Sequence, residues 1–103
     1  MPTDFASLAA RDIIDAEMAF EDRDIGKTIY ERLTRTKEAF GARPAFSYQI
    51  TSGATDKAET LTWNDLHGQV TQAANMFRAR GISETDVVAY IVPNTNETAV
   101  TFL

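Results

Sequence analysis

The chain has 103 residues, at most one small domain, and its 44% hydrophobic and 24% charged residues are typical of a globular protein. The net charge of −5 argues against nucleic acid and anionic membranes as partners, because both bind basic surfaces. With no cysteine, no apolar run long enough to span a bilayer and no secretory signal, the chain is expected to be cytoplasmic, without disulfides or thiolate metal sites.

The first 24 residues form an acidic segment in which seven carboxylates, from Asp4 to Asp24, accompany two arginines. Apolar residues recur in it at helical spacing and predict an amphipathic helix: Phe5, Ala9, Ile13, Ala16 and Phe20. Such a helix needs a surface to lie on, either its own domain or another molecule. Residues 1–24 are therefore delimited as an acidic N-terminal helix region, and a homo-oligomer formed through it is one hypothesis.

A second helix is predicted over residues 28–40, because Thr28 and Glu31 have the spacing of a capping box. Gly41 is expected to end this helix in the left-handed conformation. Pro44 then prevents the helix from continuing.

Two short strands are predicted after this helix. Phe46, Tyr48 and Ile50 alternate to one face of a strand over residues 45–51, and residues 59–62 form the second strand. Because the segment between them is polar and contains glycine, the two strands are expected to pair as an antiparallel hairpin.

The next helix begins at another capping box, Thr62 with Asp65, and ends at Gly81. It leads to residues 87–92, a continuously apolar run bounded by an aspartate and a proline, which is the pattern of a strand buried on both faces. Strand, helix and strand in this order predict one βαβ crossover. A single crossover cannot cover its own central strand, so the pattern implies further strands and helices that this chain does not supply.

Three features have a chemical interpretation and a simpler structural one. The segment Thr51–Lys57 resembles a phosphate loop, but it has one glycine and joins two strands, so a hairpin loop is favoured. His67 is the single histidine and is favoured as a half-buried helix residue. Asn94 follows the apolar run, where α/β sheets place ligand crevices, and also suits the cap of a last helix. We therefore assign no catalytic, cofactor-binding or metal-binding residue.

Two stretches resemble the adenylate-forming (AMP-binding) superfamily, which includes acyl-coenzyme A synthetases, peptide-synthetase adenylation domains and firefly-type luciferases. The first is similar to the family's LTYxEL…vnrlAaaL helix and reads Leu61-Thr62-Trp63-Asn64-Asp65-Leu66, then Val70, Ala73, Ala74 and Phe77. The second is similar to GvxxGDrVai…lpNspE and reads Gly81-Ile82, Asp86-Val87-Val88-Ala89, then Pro93-Asn94-Thr95-Asn96-Glu97. Order and spacing both fit, and the departures, such as Trp63 for the usual tyrosine, fall in surface or turn positions.

The resemblance implies an α/β fold in which residues 25–103 begin the large mixed-sheet N-terminal domain of an adenylate-forming enzyme. For the intact enzyme it implies ATP, Mg²⁺, coenzyme A and a carboxylic acid, with a fatty acid or another small organic acid as the substrate. The family's catalytic residues lie beyond Leu103, so this fragment is expected to be inactive and to bind none of these cofactors.

Two alternatives remain open. In the first alternative, the chain is a non-catalytic interaction module whose acidic helix binds a partner. In the other, it belongs to an adenylation domain that loads a carrier protein instead of coenzyme A.

Overall fold

A computed structural model describes residues 7–103, so Asp4 and Phe5 of the acidic segment lie outside the described residues. The elements run in the order α1 (Leu8–Glu17), a 3₁₀ turn (Phe20–Asp22), α2 (Ile29–Phe40), β1 (Pro44–Gln49), β2 (Ala58–Thr62), α3 (Trp63–Ala79) and α4 (Asn96–Phe102). The two strands pair antiparallel, with Ser47 opposite Thr60. The α/β class and the hairpin are confirmed.

Each α-helix begins at a serine or threonine whose hydroxyl accepts a backbone N–H that the helix leaves unpaired: Ser7, Thr28, Thr62 and Thr95. The box predicted at Thr62 is complete, because Asp65 accepts the Thr62 N–H at 3.0 Å. In the box predicted at Thr28, the return hydrogen bond is displaced by one residue, because Glu31 accepts the N–H of Lys27, at 2.8 Å, instead of that of Thr28. The helix starts predicted from capping residues are therefore confirmed.

Gly41 corrects the prediction for the end of α2. It has right-handed helical dihedral angles, φ −43° and ψ −42°, so the expected left-handed cap is wrong. A Cβ at Gly41 would lie 2.5 Å from the Asn64 Oδ1, and the Asn64 N–H donates to the Gly41 carbonyl at 3.0 Å. The Asn64 Oδ1 belongs to an exposed, rotatable side chain, so it is the backbone hydrogen bond that holds the end of α2 close to the start of α3. Gly81, with φ +81°, has the left-handed conformation expected at the end of α3.

The hydrophobic core lies where α2 crosses α3. Leu33, Leu66 and Val70 are buried there. Partly buried side chains from the hairpin, from the start of α3 and from α4 pack around them: Ala45, Leu61, Trp63 and Val100. Three buried side chains are a small core for a chain of this length, so much apolar surface is left exposed.

Residues 87–92 form no strand, and the described sheet has two strands, so the predicted crossover is incomplete. Val87 is 93% exposed and Ile91 is 103% exposed, whereas the sequence pattern predicts burial. A strand exists only with a partner to receive its backbone hydrogen bonds, and neither β1 nor β2 pairs with this segment. The strand predicted at residues 87–92 therefore does not form here, and its exposure agrees with the expectation that this chain does not supply the sheet and helices needed to cover it.

The acidic helix α1 is shorter than predicted and is covered on a different face. Ala10 is buried and Ile14 is half-buried, whereas Ile13 and Phe20 of the predicted apolar stripe are exposed. The Arg23 guanidinium closes the C-terminal end of α1 by donating to the carbonyl of Ile14 at 2.7 Å and to that of Met18 at 3.1 Å. Within residues 7–103, no helix has the length and hydropathy needed to cross a membrane.

Gly68 within α3 and Gly81, just after the end of α3, provide a matched pair for testing these backbone assignments. Gly68→Ala should raise the free energy of unfolding by about 1 kcal/mol, because nothing lies within 4 Å of a Cβ there and alanine favours the helix. Gly81→Ala should lower it by about 1 kcal/mol, because φ is +81° and a Cβ is strained in that conformation. Urea denaturation measures both, and two changes of equal sign would contradict the assignment.

Candidate functional site

The loop between β1 and β2 uses its polar groups on itself. Asp56 accepts hydrogen bonds from the Gly53 N–H at 2.9 Å and from the Thr51 hydroxyl. The Gln49 amide donates to the carbonyls of Gly53 and Asp56 at 2.6 and 2.9 Å. The prediction that this segment is a hairpin loop is confirmed by the register of the two strands.

This loop does not fit a triphosphate. The glycine N–H that would face a phosphate is occupied by the Asp56 carboxylate, which also places a negative charge where the anion would lie. Within residues 7–103, moreover, no group of three His, Cys, Asp or Glu side chains is arranged to hold a metal ion. We therefore derive no step of chemistry through a nucleotide or Mg²⁺ at this loop.

A closed network of hydrogen bonds joins α2 to α3 around His67. The Thr34 hydroxyl donates to the Tyr30 carbonyl at 2.9 Å and lies 3.0 Å from the His67 Nε2. The Thr71 hydroxyl donates to the His67 carbonyl at 2.8 Å and lies 2.8 Å from the Tyr30 hydroxyl. The Tyr30 and His67 rings are in contact, with centroids 5.1 Å apart. His67 is half-buried on a helix, as predicted, and it serves packing between helices.

The helix carbonyls assign one consistent set of directions to this network. A hydroxyl has one proton, and Thr34 and Thr71 lie at donating distance from the carbonyls of Tyr30 and His67. With those protons donated to the carbonyls, the Tyr30 O–H donates to Thr71 and a proton on the His67 Nε2 is donated to Thr34. Sequence reasoning missed this network. Its partners are separated by 33 positions in one hydrogen bond and by 41 in the other, so they meet only when the helices cross.

Asn94 does not cap the last helix. The cap is the next residue, Thr95, whose hydroxyl accepts the Thr98 N–H at 3.2 Å. Asn94 is exposed beside an open cleft of about 570 Å³, to which Phe46, Tyr90 and Phe102 also contribute. Its predicted capping role is therefore wrong, and the cleft beside it is lined by both aromatic and polar side chains.

Asn96 is the buried polar residue that the sequence analysis did not single out, at 6% exposure. Its amide donates to the carbonyl of Glu59 at 3.1 Å, which ties the first turn of α4 to the outer edge of β2. Its Oδ1 has no hydrogen-bond partner among the described residues. A buried, unpaired acceptor costs stability, so this junction is a place where the fold is incompletely satisfied.

Three aspartates share one local arrangement, in which the carboxylate accepts the N–H of the residue three positions earlier. For Asp65 and Asp86, the backbone N–H donor lowers the pKa most, and a neighbouring hydroxyl lowers it further. For Asp56, the Thr51 hydroxyl lowers the pKa most, and the Gly53 N–H is the second cause. A general acid or base at neutral pH needs a pKa shifted the other way. These carboxylates therefore serve to order turns and helix starts.

Comparison with known proteins identifies the family. A family model described as "AMP-binding enzyme" matches residues 33–103. The chain is 42% identical over 48 residues to the acetyl-coenzyme A synthetase of Psychromonas ingrahamii and 43% identical over 47 residues to that of Sodalis glossinidius. These segments cover 47% and 46% of this chain but 7% of each relative. No solved structure matches the chain.

The family model covers well over half of the chain and begins inside α2, so the described body from α2 to α4 corresponds to it. The chain belongs to the AMP-binding enzyme family, as the motifs at residues 61–77 and 81–97 predict. Its matched segment spans about 7% of the length of the two acetyl-coenzyme A synthetases.

The capping box of α3 predicts a pH dependence of stability. The pKa of Asp65 is lowered in the folded chain, so its ionised carboxylate stabilises the fold. This contribution to the free energy of unfolding is complete above the unfolded pKa near 3.8 and is lost as the pH falls through the lowered folded pKa. Asp65→Asn should therefore lower stability at pH 7 and flatten the decline of stability below pH 4. Urea denaturation at several pH values measures this, and a parallel pH profile in the variant would contradict it.

The network around His67 predicts one tautomer. At a pH where the imidazole is neutral, ¹⁵N NMR should find the proton on Nε2, because Thr34 has no proton left to donate to that nitrogen. Thr34→Val removes the acceptor and should shift the ring towards a mixture of tautomers. A dominant Nδ1–H form in the unmodified chain would contradict the assigned directions.

Proposed function

We propose that this chain forms the opening part of the acid-activating domain of an ATP-dependent acyl-coenzyme A synthetase. In the reaction of that class, a carboxylate attacks the α-phosphate of ATP to give an acyl-adenylate and pyrophosphate. The thiol of coenzyme A then displaces AMP. The observation that carries the proposal is the match of the AMP-binding family model to residues 33–103.

The proposal assigns residues 25–103 to the domain itself and residues 1–24 to a separate acidic helix region. In this division the hairpin and α3 act as a scaffold, and ATP, Mg²⁺ and coenzyme A are held by parts of the enzyme outside this chain. The self-contained hydrogen bonding of the loop at Asp56 supports that division, because it leaves no free N–H cradle for phosphate. By itself the chain is proposed to be inactive, and the intact enzyme is proposed to act in the cytoplasm.

The exposed apolar run at residues 87–92 supports the proposal that the domain is completed by further sheet. The side chains of Val87 and Ile91 are exposed, and those of Val88 and Tyr90 are partly covered by the rest of the chain. An unpaired apolar segment of this kind is a template for strand addition. We propose that the remainder of the parent enzyme supplies the neighbouring strands and the helices that cover them.

The substrate is proposed to be a small organic or fatty acid. Both relatives are named acetyl-coenzyme A synthetases, which favours a short acid as the first to be tested. In a variant of this proposal, the acyl group is transferred to the thiol of a carrier protein instead of to coenzyme A. The same assay distinguishes the two acceptors. A binding-module role is favoured by a different observation, the exposed apolar stripe of α1.

The proposal predicts activity only in the intact enzyme. The 103-residue chain, mixed with ATP, Mg²⁺, coenzyme A and acids from acetate to long-chain fatty acids, should release no pyrophosphate above background. The protein encoded by the complete reading frame should release pyrophosphate with at least one acid. Enzyme-like release by the short chain, or none by the complete protein with any acid, would overturn the proposal.

One substitution tests the proposed completion of the sheet separately from the chemistry. Ile91→Asp should leave the stability of the 103-residue chain within about 0.5 kcal/mol, because Ile91 is exposed there. In the complete enzyme the same change should prevent folding or abolish activity, because an unpaired charge would be buried. Thr55→Asp on the exposed hairpin loop is the matched control and should be tolerated in both. Equal tolerance of Ile91→Asp in both would contradict burial of this strand.

A further inference from the structure

One arginine joins the start of α2 to the segment that precedes it. Arg35, in the second turn of α2, lies 2.9 Å from the Asp24 carboxylate through Nη1 and 2.6 Å from the Glu31 carboxylate through Nη2. Its guanidinium therefore bridges a residue before the helix and a residue of the first turn. A planar guanidinium presents several N–H donors at fixed angles, so it can hold both carboxylates at once.

The same two carboxylates also order the backbone between them. Glu31 accepts the Lys27 N–H at 2.8 Å. The pKa of Asp24 is lowered first by its hydrogen bond to Arg35, then by the charge of that residue and by a hydrogen bond from the Gly26 N–H. Gly26 has φ +87°, a left-handed conformation that favours glycine. The connection into α2 is therefore held at several points along its length.

The preceding residue, Arg23, fastens this connection to α1. Its guanidinium donates to the carbonyls of Ile14, at 2.7 Å, and of Met18, at 3.1 Å, at the C-terminal end of that helix. Asp24 follows directly, so two consecutive side chains bind α1 and α2 respectively. Residues 23–35 are called the elbow below.

The elbow joins two parts of the chain that share little packing. The partly buried side chains around the core come from the hairpin, α3 and α4, and none of those described comes from α1. Within Leu8–Glu17, Ala10 is the one buried residue. The family model begins at residue 33, inside the elbow, so α1 lies outside the matched part of the chain. The direction of α1 therefore depends strongly on the connection itself.

We propose that the elbow is a rigid joint, with Arg35 as its positioning residue, that fixes the direction of the acidic helix α1 relative to the body from α2 to α4. A single exposed ion pair contributes little to stability. The elbow differs because one guanidinium holds two carboxylates, and each of these also accepts a backbone N–H. The proposal concerns the geometry of this chain and is independent of the proposed ligase function.

A distance measurement between two spin labels tests the joint. Because the chain has no cysteine, Ala16→Cys in α1 and Gln72→Cys in α3, both at exposed positions, place one label on each side of the elbow. Double electron–electron resonance should give one narrow distance distribution for this labelled chain. Adding Arg35→Gln should abolish the narrow distribution, because Asp24 and Glu31 are then no longer bridged.

Two further substitutions make the result specific. Asp24→Asn removes the other half of the bridge from a position outside the core and should also abolish the narrow distribution. Arg32→Gln is the matched control, because it removes the same charge from an exposed position of the same helix and leaves the bridge intact. It should keep the narrow distribution. Circular dichroism of each variant checks that its helices are retained.

Three outcomes would overturn the proposal. A broad distribution in the labelled chain before any further substitution means that the elbow does not fix α1. A narrow distribution that survives Arg35→Gln or Asp24→Asn means that other contacts hold the helix. Broadening by Arg32→Gln as large as that by Arg35→Gln attributes the effect to the charge of α2 instead of to the bridge.

Discussion

The crossing of α2 and α3 is the constraint on which the rest of the structure depends. Leu33, Leu66 and Val70 are buried at this crossing, and the hydrogen bonds around His67 join the same two helices beside it. The hydrogen bond from the Asn64 N–H to the Gly41 carbonyl holds the end of α2 against the start of α3. Because this core is small, the hairpin and α4 are held against it by partly buried side chains, and little apolar cover remains for any other element.

Two kinds of surface follow from so small a core. The apolar run at residues 87–92 has the composition of an interior strand but no partner in this chain, and it remains exposed. On α1 and in the 3₁₀ turn after it, Ile13 and Phe20 are exposed within an acidic segment. The proposed completion of the domain by the parent enzyme accounts for the first kind of surface.

The polar residues of the chain act mainly on local structure. Hydroxyls and carboxylates accept backbone N–H groups at helix starts and turns. The same hydrogen bonds that order the backbone lower the pKa of the carboxylates. Asn96 is the exception, because its amide joins α4 to β2 while its oxygen stays unpaired. This distribution supports the proposal that the segment is a scaffold within the domain.

The sequence by itself determined the family, the helix starts and the hairpin, because these depend on residues close together in the chain. Thr62 and Asp65 find each other across three positions whatever the rest of the molecule does. The sequence analysis was wrong about the conformation of Gly41, which is right-handed. At residues 87–92 the predicted strand does not form, because a strand needs a partner strand and neither strand of the described sheet pairs with this segment. Tertiary structure alone decided which side of α1 is covered, since helical periodicity identifies an apolar face but not the surface that meets it.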